Sequence, residues 1–171
     1  MLQVGRKAPD FTAEALVGKE FKTINLSDYK GKWIVLFFYP LDFTFICPTE
    51  IREFSKRHDE FVKLNGQVIG ASTDSVYSHL AWTKELGELN YPLLSDNTHE
   101  ISRNYGILLE DKGVALRGTF IIDPEGVLRY QLVHDLSVGR SVSETLRVLQ
   151  ALQTGELCGI EWKPGEQTLG K

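Results

Sequence analysis

The chain has 171 residues, 42% of them hydrophobic and 25% charged, a size and balance that suit one globular domain with its own core and exclude a disordered chain. Lys and Arg number 19 against 23 Asp and Glu, a formal net charge of −4; this is the wrong sign for broad phosphate binding, so no nucleic-acid partner is expected. The most apolar unbroken run, Trp33–Tyr39, is far shorter than the about 20 residues of a membrane-spanning helix, and the first ten residues lack the apolar core of a secretory signal. The expectation is a cytoplasmic protein with no membrane partner.

No repeat, linker or low-complexity tract divides the chain, which reads as a single domain over 1–171 with a C-terminal tail from about 155. Trp33–Tyr39, aromatic and β-branched and stopped by Pro40, predicts a strand buried on both faces. A helix is predicted from Cys47, with Pro48 at its first turn, Ile51, Phe54, Phe61 and Leu64 at helical spacing, and Asn65-Gly66 as the stop. Gln67–Ser72 reads as a second strand and Val76–Leu86 as a second helix, a series that favours a parallel sheet. A short apolar stretch at Pro92–Ser95 and a short helix around His99–Tyr105 follow. Arg117–Asp123 and Val127–Val133, joined by a four-residue turn, predict an antiparallel hairpin. Ser141-Val-Ser-Glu144 fits a capping box, and Val142, Leu146, Leu149 and Leu152 give the last helix one apolar face. A β-α-β unit, a hairpin and a closing helix make an α/β, thioredoxin-like fold with an N-terminal extension and a central insertion.

The two cysteines, Cys47 and Cys158, are too far apart for a C-x-x-C motif and too few for a disulfide framework. The four histidines show no metal-ligand spacing and are read as ordinary core or surface residues, and neither a metal nor a cofactor is expected. A thiol's free pKa of about 8.5 falls at a helix N-terminus, where the partial positive charge favours the thiolate. Cys47 is predicted at such a position, beyond the C-terminal end of a parallel strand, where α/β folds bind ligands; the alternative is an inert core cysteine. Glu50 stands where a local dithiol pair would need its second cysteine. A lone thiolate can instead attack an oxygen of a peroxide to give sulfenic acid, given a donor that polarises the O–O bond. Thr44 lies on the same turn, and Arg117 offers a positive charge unless it is only a solvated strand end.

Pro40-Leu-Asp-Phe-Thr44-Phe-Ile-Cys47-Pro-Thr-Glu50 resembles the P-x-x-x-T-x-x-C loop of the peroxiredoxins, and the resemblance runs through Ala8–Phe11, Leu116–Asp123, Asp135–Ser141 and Gly155–Gly165. The last segment is similar to the resolving-cysteine region of the typical two-cysteine branch, near the alkyl hydroperoxide reductase C proteins. The resemblance implies that Cys47 is the peroxidatic nucleophile, that Thr44 hydrogen-bonds the thiolate and the peroxide, and that Pro40 shields the sulfur from water. It implies that Arg117 favours the thiolate and holds the peroxide oxygens, with Glu50 and Arg140 as its supporting network; a helix-capping glutamate and a solvated arginine are the alternatives. Cys158 is implied to be the resolving cysteine, joining Cys47 of a partner subunit in an intersubunit disulfide, so that a homodimer, in some members a decamer, is expected. The implied substrates are hydrogen peroxide and organic hydroperoxides, and the implied electron donor is thioredoxin or a flavoprotein disulfide reductase. The chain lacks a Gly-Gly-Leu-Gly insertion between Trp82 and Pro92 and a further C-terminal helix with a Tyr-Phe pair, which implies resistance to overoxidation. Gly159 replaces the family's usual proline after the resolving cysteine, which implies a looser tail. A chaperone-like role in client binding, or resolution of Cys47 by an outside thiol, are the competing readings.

Overall fold

Bulky apolar side chains on both faces of Trp33–Phe38 make that segment the strand around which the sheet is built. In this computed structural model, which describes residues 2–171, the first half runs β1 (Thr12–Val17), β2 (Glu20–Asn25), β3 (Trp33–Phe38), α1 (Cys47–Lys56), α2 (His58–Lys63), β4 (Gly66–Ser72) and α3 (Val76–Leu86). The second half runs β5 (Leu93–Ser95), α4 (Glu100–Asn104), β6 (Leu108–Leu109), β7 (Val114–Ala115), β8 (Arg117–Ile122), β9 (Leu128–His134) and α5 (Val142–Thr154). Two compact units divide between Arg140 and Ser141.

The first unit contains a seven-stranded sheet in the order β2-β1-β5-β4-β3-β8-β9. Its centre, β3, β4 and β5, is parallel, as the β-α-β-α series predicts, and β8 pairs antiparallel with both β3 and β9 to give the expected hairpin. Asp123 closes that hairpin's turn: its carboxylate accepts from the amides of Glu125 and Val127 at 3.0 and 2.8 Å and from Arg129 Nε at 2.6 Å. The α/β, thioredoxin-like arrangement is the one the element order predicts.

Three local features were not legible in the sequence. The N-terminal extension is an antiparallel β1–β2 hairpin, turned at Gly18 (φ +62°) and paired through β1 to β5. Most of β2 is exposed, so it lacks the alternation that marks a half-buried strand. The helix expected to run unbroken from Cys47 to Leu64 instead breaks at Arg57, whose ψ of 13° leaves the helical region and whose guanidinium closes on Glu60 at 2.7 and 3.0 Å. In the central insertion, the Asp96 carboxylate accepts from the amides of Ile101 and Ser102 at 2.9 and 2.7 Å and so starts α4.

Because side chains alternate along a strand, Ile34, Leu36 and Phe38 of β3 enter one core with Phe120, Tyr105 and Ile101. Phe37 points the other way and stacks on Phe54 of α1, with ring centroids 4.3 Å apart and planes 11° from parallel. Both faces of β3 are therefore covered, which is why its sequence is apolar without alternation.

The second unit is α5 with the tail. Ser141 Oγ accepts from the Glu144 amide at 3.1 Å, the first half of the expected capping box. The Glu144 carboxylate turns to Arg147 instead, at 2.6 and 2.7 Å. Val142, Thr145, Leu146 and Leu149 are the buried positions of α5, so Thr145 takes the place predicted for Leu152, which is only half-buried. Gly155 ends α5 in the left-handed region at φ +65°. The tail then closes on itself: Leu157 N donates to Gly170 O and Leu169 N to Leu157 O, both at 2.8 Å. Arg147 Nη1 donates to Trp162 O at 3.0 Å, and Trp162 Nε1 to Glu166 O at 3.1 Å.

Gly70 of β4 sits between Phe37 and Leu93 of the flanking strands, and a Cβ there would come within 2.9 Å of Phe37 Cζ and 2.8 Å of Leu93 Cδ2. Gly70→Ala is expected to destabilise the fold by about 1–3 kcal/mol through overpacking, read as a lower denaturation midpoint with unchanged slope.

Candidate active site

β3 ends at the buried Tyr39-Pro40 pair, and an exposed loop then carries the chain back to Ile46, the N-cap of α1. Cys47 is the first helical residue and Pro48 follows it, where a missing N–H costs no helical bond. The amides of Thr49 and Glu50 both donate to Ile46 O, at 3.0 and 3.4 Å, and the Thr49 hydroxyl donates to the same oxygen at 2.6 Å. This short turn sets the Cys47 sulfur at the positive end of the helix, with 0% of the residue exposed.

Arg117, at the start of β8, is a buried residue and not a solvated strand end. Its Nη1 lies 3.4 Å from Cys47 Sγ and 2.8 Å from Glu50 Oε2, while its Nε donates to Leu136 O at 2.9 Å. Glu50, one helical turn after Cys47, does not cap the helix; it is a buried acceptor shared by two arginines. Arg140 supplies the second, donating to Glu50 Oε1 from both its amide and its Nε at 2.9 Å. The same guanidinium donates to Gly118 O at 2.7 Å, to Thr119 Oγ1 at 3.1 Å and to Phe38 O, and its carbon lies 5.2 Å from the Phe37 ring centroid. Burial pulls the Arg140 pKa below its ordinary value, and Glu50 opposes that shift. Arg117, Glu50, Arg140 and Cys47 therefore form one cluster, as expected.

In charge terms the cluster holds two guanidinium groups and one carboxylate, all desolvated. One positive charge is left over beside the Cys47 sulfur. Buried ions are costly unless paired, so the cluster can accommodate an anionic group beside Arg117.

Pro40 is buried at the base of the loop, and Thr44, half-buried, donates its hydroxyl to Leu41 O at 2.9 Å. In this arrangement the Thr44 proton is committed to the loop's own backbone, and the hydroxyl must rotate before it can donate to the sulfur or a ligand. Cys158 lies in the second unit, half-buried, with Sγ 3.5 Å from Thr154 Oγ1 and 3.7 Å from Ala151 O of α5.

Two sets of residues beside the site carry no signal in the sequence alone. Asp42, two residues before Thr44, accepts from the Tyr39 and Ser78 hydroxyls and faces His79 Nδ1, each at 2.8 Å. Its amide donates to Asp74 Oδ2 at 2.8 Å, so the loop is tied to the start of α3. Burial raises the Asp74 carboxyl's pKa; the charge of Asp42 adds to the rise and the Asp42 amide opposes it. Tyr91 donates its hydroxyl to Ile51 O in α1 at 2.8 Å. Apart from Tyr39, each of these partners comes from another element, so no local pattern marks them.

Residues 4–131 match the AhpC/TSA family. The chain is 58% identical to a chloroplastic 2-Cys peroxiredoxin BAS1 of Spinacia oleracea over 97% of this chain and 67% of that one. It is also 58% identical to the putative peroxiredoxin YkuU of Bacillus subtilis, over 97% of both chains. Among solved structures it resembles the reduced 2-Cys peroxiredoxin of Plasmodium vivax with a TM-score of 0.94 and 41% identity, covering 98% of this chain and 92% of that one. The AhpC of Enterococcus faecalis gives a TM-score of 0.86 and 37% identity, over 90% and 94% of the two chains.

Glu50→Gln would leave two buried guanidinium groups against a neutral amide. The expected outcome is a loss of about 3–5 kcal/mol of stability, measured by denaturant unfolding at neutral pH.

Proposed function

Because the chain belongs to the AhpC/TSA family, and its relatives are peroxiredoxins, thiol peroxidases that pass electrons from a reductant to a peroxide, we propose that Cys47 is the thiol that meets the peroxide and Cys158 the thiol that resolves it. The observation that carries this reading is the Arg117 guanidinium, 3.4 Å from Cys47 Sγ and buried with it.

In the first step the thiolate of Cys47 attacks one peroxide oxygen. The S–O bond forms, the O–O bond breaks, sulfur is oxidised to sulfenic acid, and the leaving oxygen takes a proton and departs as water or an alcohol. Negative charge moves from sulfur to the leaving oxygen, and the positive charge that Arg117 contributes serves both ends of that shift without rearranging. Glu50 and Arg140 hold Arg117 in place, acting as positioning residues. Pro40 excludes water from the sulfur, and Thr44, once rotated away from Leu41 O, donates to the bound peroxide.

In the second step the sulfenic acid of Cys47 condenses with the Cys158 thiol, forming the disulfide and releasing water. In our reading the two sulfurs come from different subunits of a homodimer, which assembles further into decamers and works in the cytoplasm. Thioredoxin or a flavoprotein disulfide reductase returns the pair to two thiols by exchange. Hydrogen peroxide and organic hydroperoxides are the substrates.

The test uses wild type, Cys47→Ser and Cys158→Ser, each given one equivalent of hydrogen peroxide and followed by non-reducing electrophoresis with peptide mass mapping. A covalent dimer through Cys47 and Cys158 is expected in wild type only, with sulfenic acid trapped at Cys47 in Cys158→Ser. A Cys47 that stays a thiol while peroxide persists would sink the reading, and one that oxidises without joining Cys158 would move the resolving role to an outside thiol. Arg117→Met is expected to lower kcat/KM for hydrogen peroxide by about 100- to 1,000-fold, the scale of losing one preorganised donor at a developing anion, measured by stopped-flow peroxide consumption.

A further inference from the structure

The Cys47 sulfur is wholly enclosed, whereas a disulfide needs the two sulfurs about 2 Å apart. Cys47 therefore cannot join a thiol outside its enclosure until the start of α1 opens, and the hydrogen bonds around α1 show where opening stops. Upstream of Glu50 the backbone bonds are local, with Thr49 N, Thr49 Oγ1 and Glu50 N all converging on Ile46 O, and Arg117 Nη1 reaches only the Cys47 sulfur itself, the atom that oxidation changes. From Glu50 onward the helix is held by other elements. Two arginines hold Glu50, Tyr91 holds Ile51 O, and Arg52 Nη2 donates to Glu85 O at 2.8 Å. Asn90 holds Ser55 through its amide at 3.3 Å and its Nδ2 at 3.2 Å.

Of the ties that residues 85–91 make to α1, the one from Tyr91 is buried, and those from Glu85 and Asn90 are exposed. A buried hydrogen bond with no water to replace it is the harder to give up. The Tyr91 ring is fixed by its edge contact with Phe37, centroids 5.7 Å apart at 71°, and Phe37 in turn stacks on Phe54 of the same helix. Burial holds the Tyr91 phenol well above its ordinary pKa, so the hydroxyl keeps its proton. The ring that makes the tie and the helix that receives it thus pack on the same Phe37 side chain.

We propose that Tyr91 is a positioning residue for the resolving step: its hydroxyl, on Ile51 O, stops the unwinding of α1 after the first turn and so sets how readily oxidised Cys47 leaves its enclosure. The inference rests on the proposed pairing of Cys47 with Cys158. Two reactions compete for the sulfenic acid. Condensation with the Cys158 thiol releases water, while a second peroxide transfers one oxygen to sulfur, giving sulfinic acid and the corresponding alcohol or water. The first requires an open helix, because the sulfur is enclosed, and the second requires the closed arrangement in which Arg117 lies 3.4 Å from the sulfur to polarise the peroxide, so a change in the opening equilibrium moves the partition between them.

The test compares full-length wild type with Tyr91→Phe, which keeps the ring and removes the hydroxyl. In the reduced proteins, hydrogen exchange of amides in 51–56 is expected to speed up about three- to tenfold, the population change carried by one lost buried hydrogen bond. In peroxide turnover, the fraction of Cys47 lost to sulfinic acid per cycle, read by mass spectrometry, is expected to fall at least threefold. The rate of the first oxidation should change less than twofold. Unchanged exchange, or faster exchange with an unchanged sulfinic fraction, would overturn the proposal, the latter because a purely structural role gives that result. Should Tyr91→Phe fail to fold, Asn90→Ala removes the neighbouring tie to Ser55 and is expected to shift both readouts in the same directions by a smaller factor; no shift in either overturns the proposal. The exchange is measured on the reduced chain and decides the tie whatever Cys158 does, whereas a wild type without the Cys47–Cys158 disulfide overturns the pairing.

Discussion

The carboxylate of Glu50 accepts hydrogen bonds from Arg117 and Arg140 in a place closed to water, and the rest of the site follows from that sharing. Two cations on one anion leave a positive charge that burial makes expensive, and the nearest group able to offset it is the Cys47 sulfur. One carboxylate thus does two things: it draws Arg117 against the sulfur, and it lowers the buried charge of the two arginines to a single positive charge. A glutamate paired with one arginine would leave no surplus charge beside the sulfur.

The same enclosure creates a conflict of stabilities. A closed site makes each electrostatic contact stronger and keeps water from the thiolate, yet chemistry that ends in a disulfide needs that sulfur to come out. The fold divides the helix to meet both demands. The backbone of its first turn depends on bonds within the turn, to Ile46 O, with Arg117 touching only the Cys47 sulfur, while Glu50, Ile51, Arg52 and Ser55 are each held by residues distant in sequence. Local opening then costs few contacts, and the pairs of Glu50 with Arg117 and Arg140 need not break to allow it.

Around this site the fold serves chiefly to bring together residues that are remote along the chain. β3 and β8 are neighbours in the sheet, which puts Arg117 beside the helix that follows β3. Gly70 leaves room for Phe37, and Phe37 is the surface on which Phe54, Tyr91 and the Arg140 guanidinium are arranged. A close contact in the sheet is in this way transmitted to the helix that carries the cysteine.

By itself the sequence determined those features whose causes are local. The apolar run of β3, the proline after Cys47 and the turn chemistry at Asp123 each act within a few residues, so they can be read in a line of text. The loop from Pro40 to Glu50 and Arg117 with Arg140 were recognisable because the segments that carry them resemble a family pattern. Other features were decided only by tertiary structure. The exposed β2 hairpin lacks alternation, the break at Arg57 interrupts a helical period that the sequence continues, and the ties of Asp42 to His79 and of Tyr91 to Ile51 join elements between 37 and 40 residues apart. A hydrogen bond depends on distance in space, and propensity and periodicity report nothing about which distant groups the sheet will bring within 3 Å of each other.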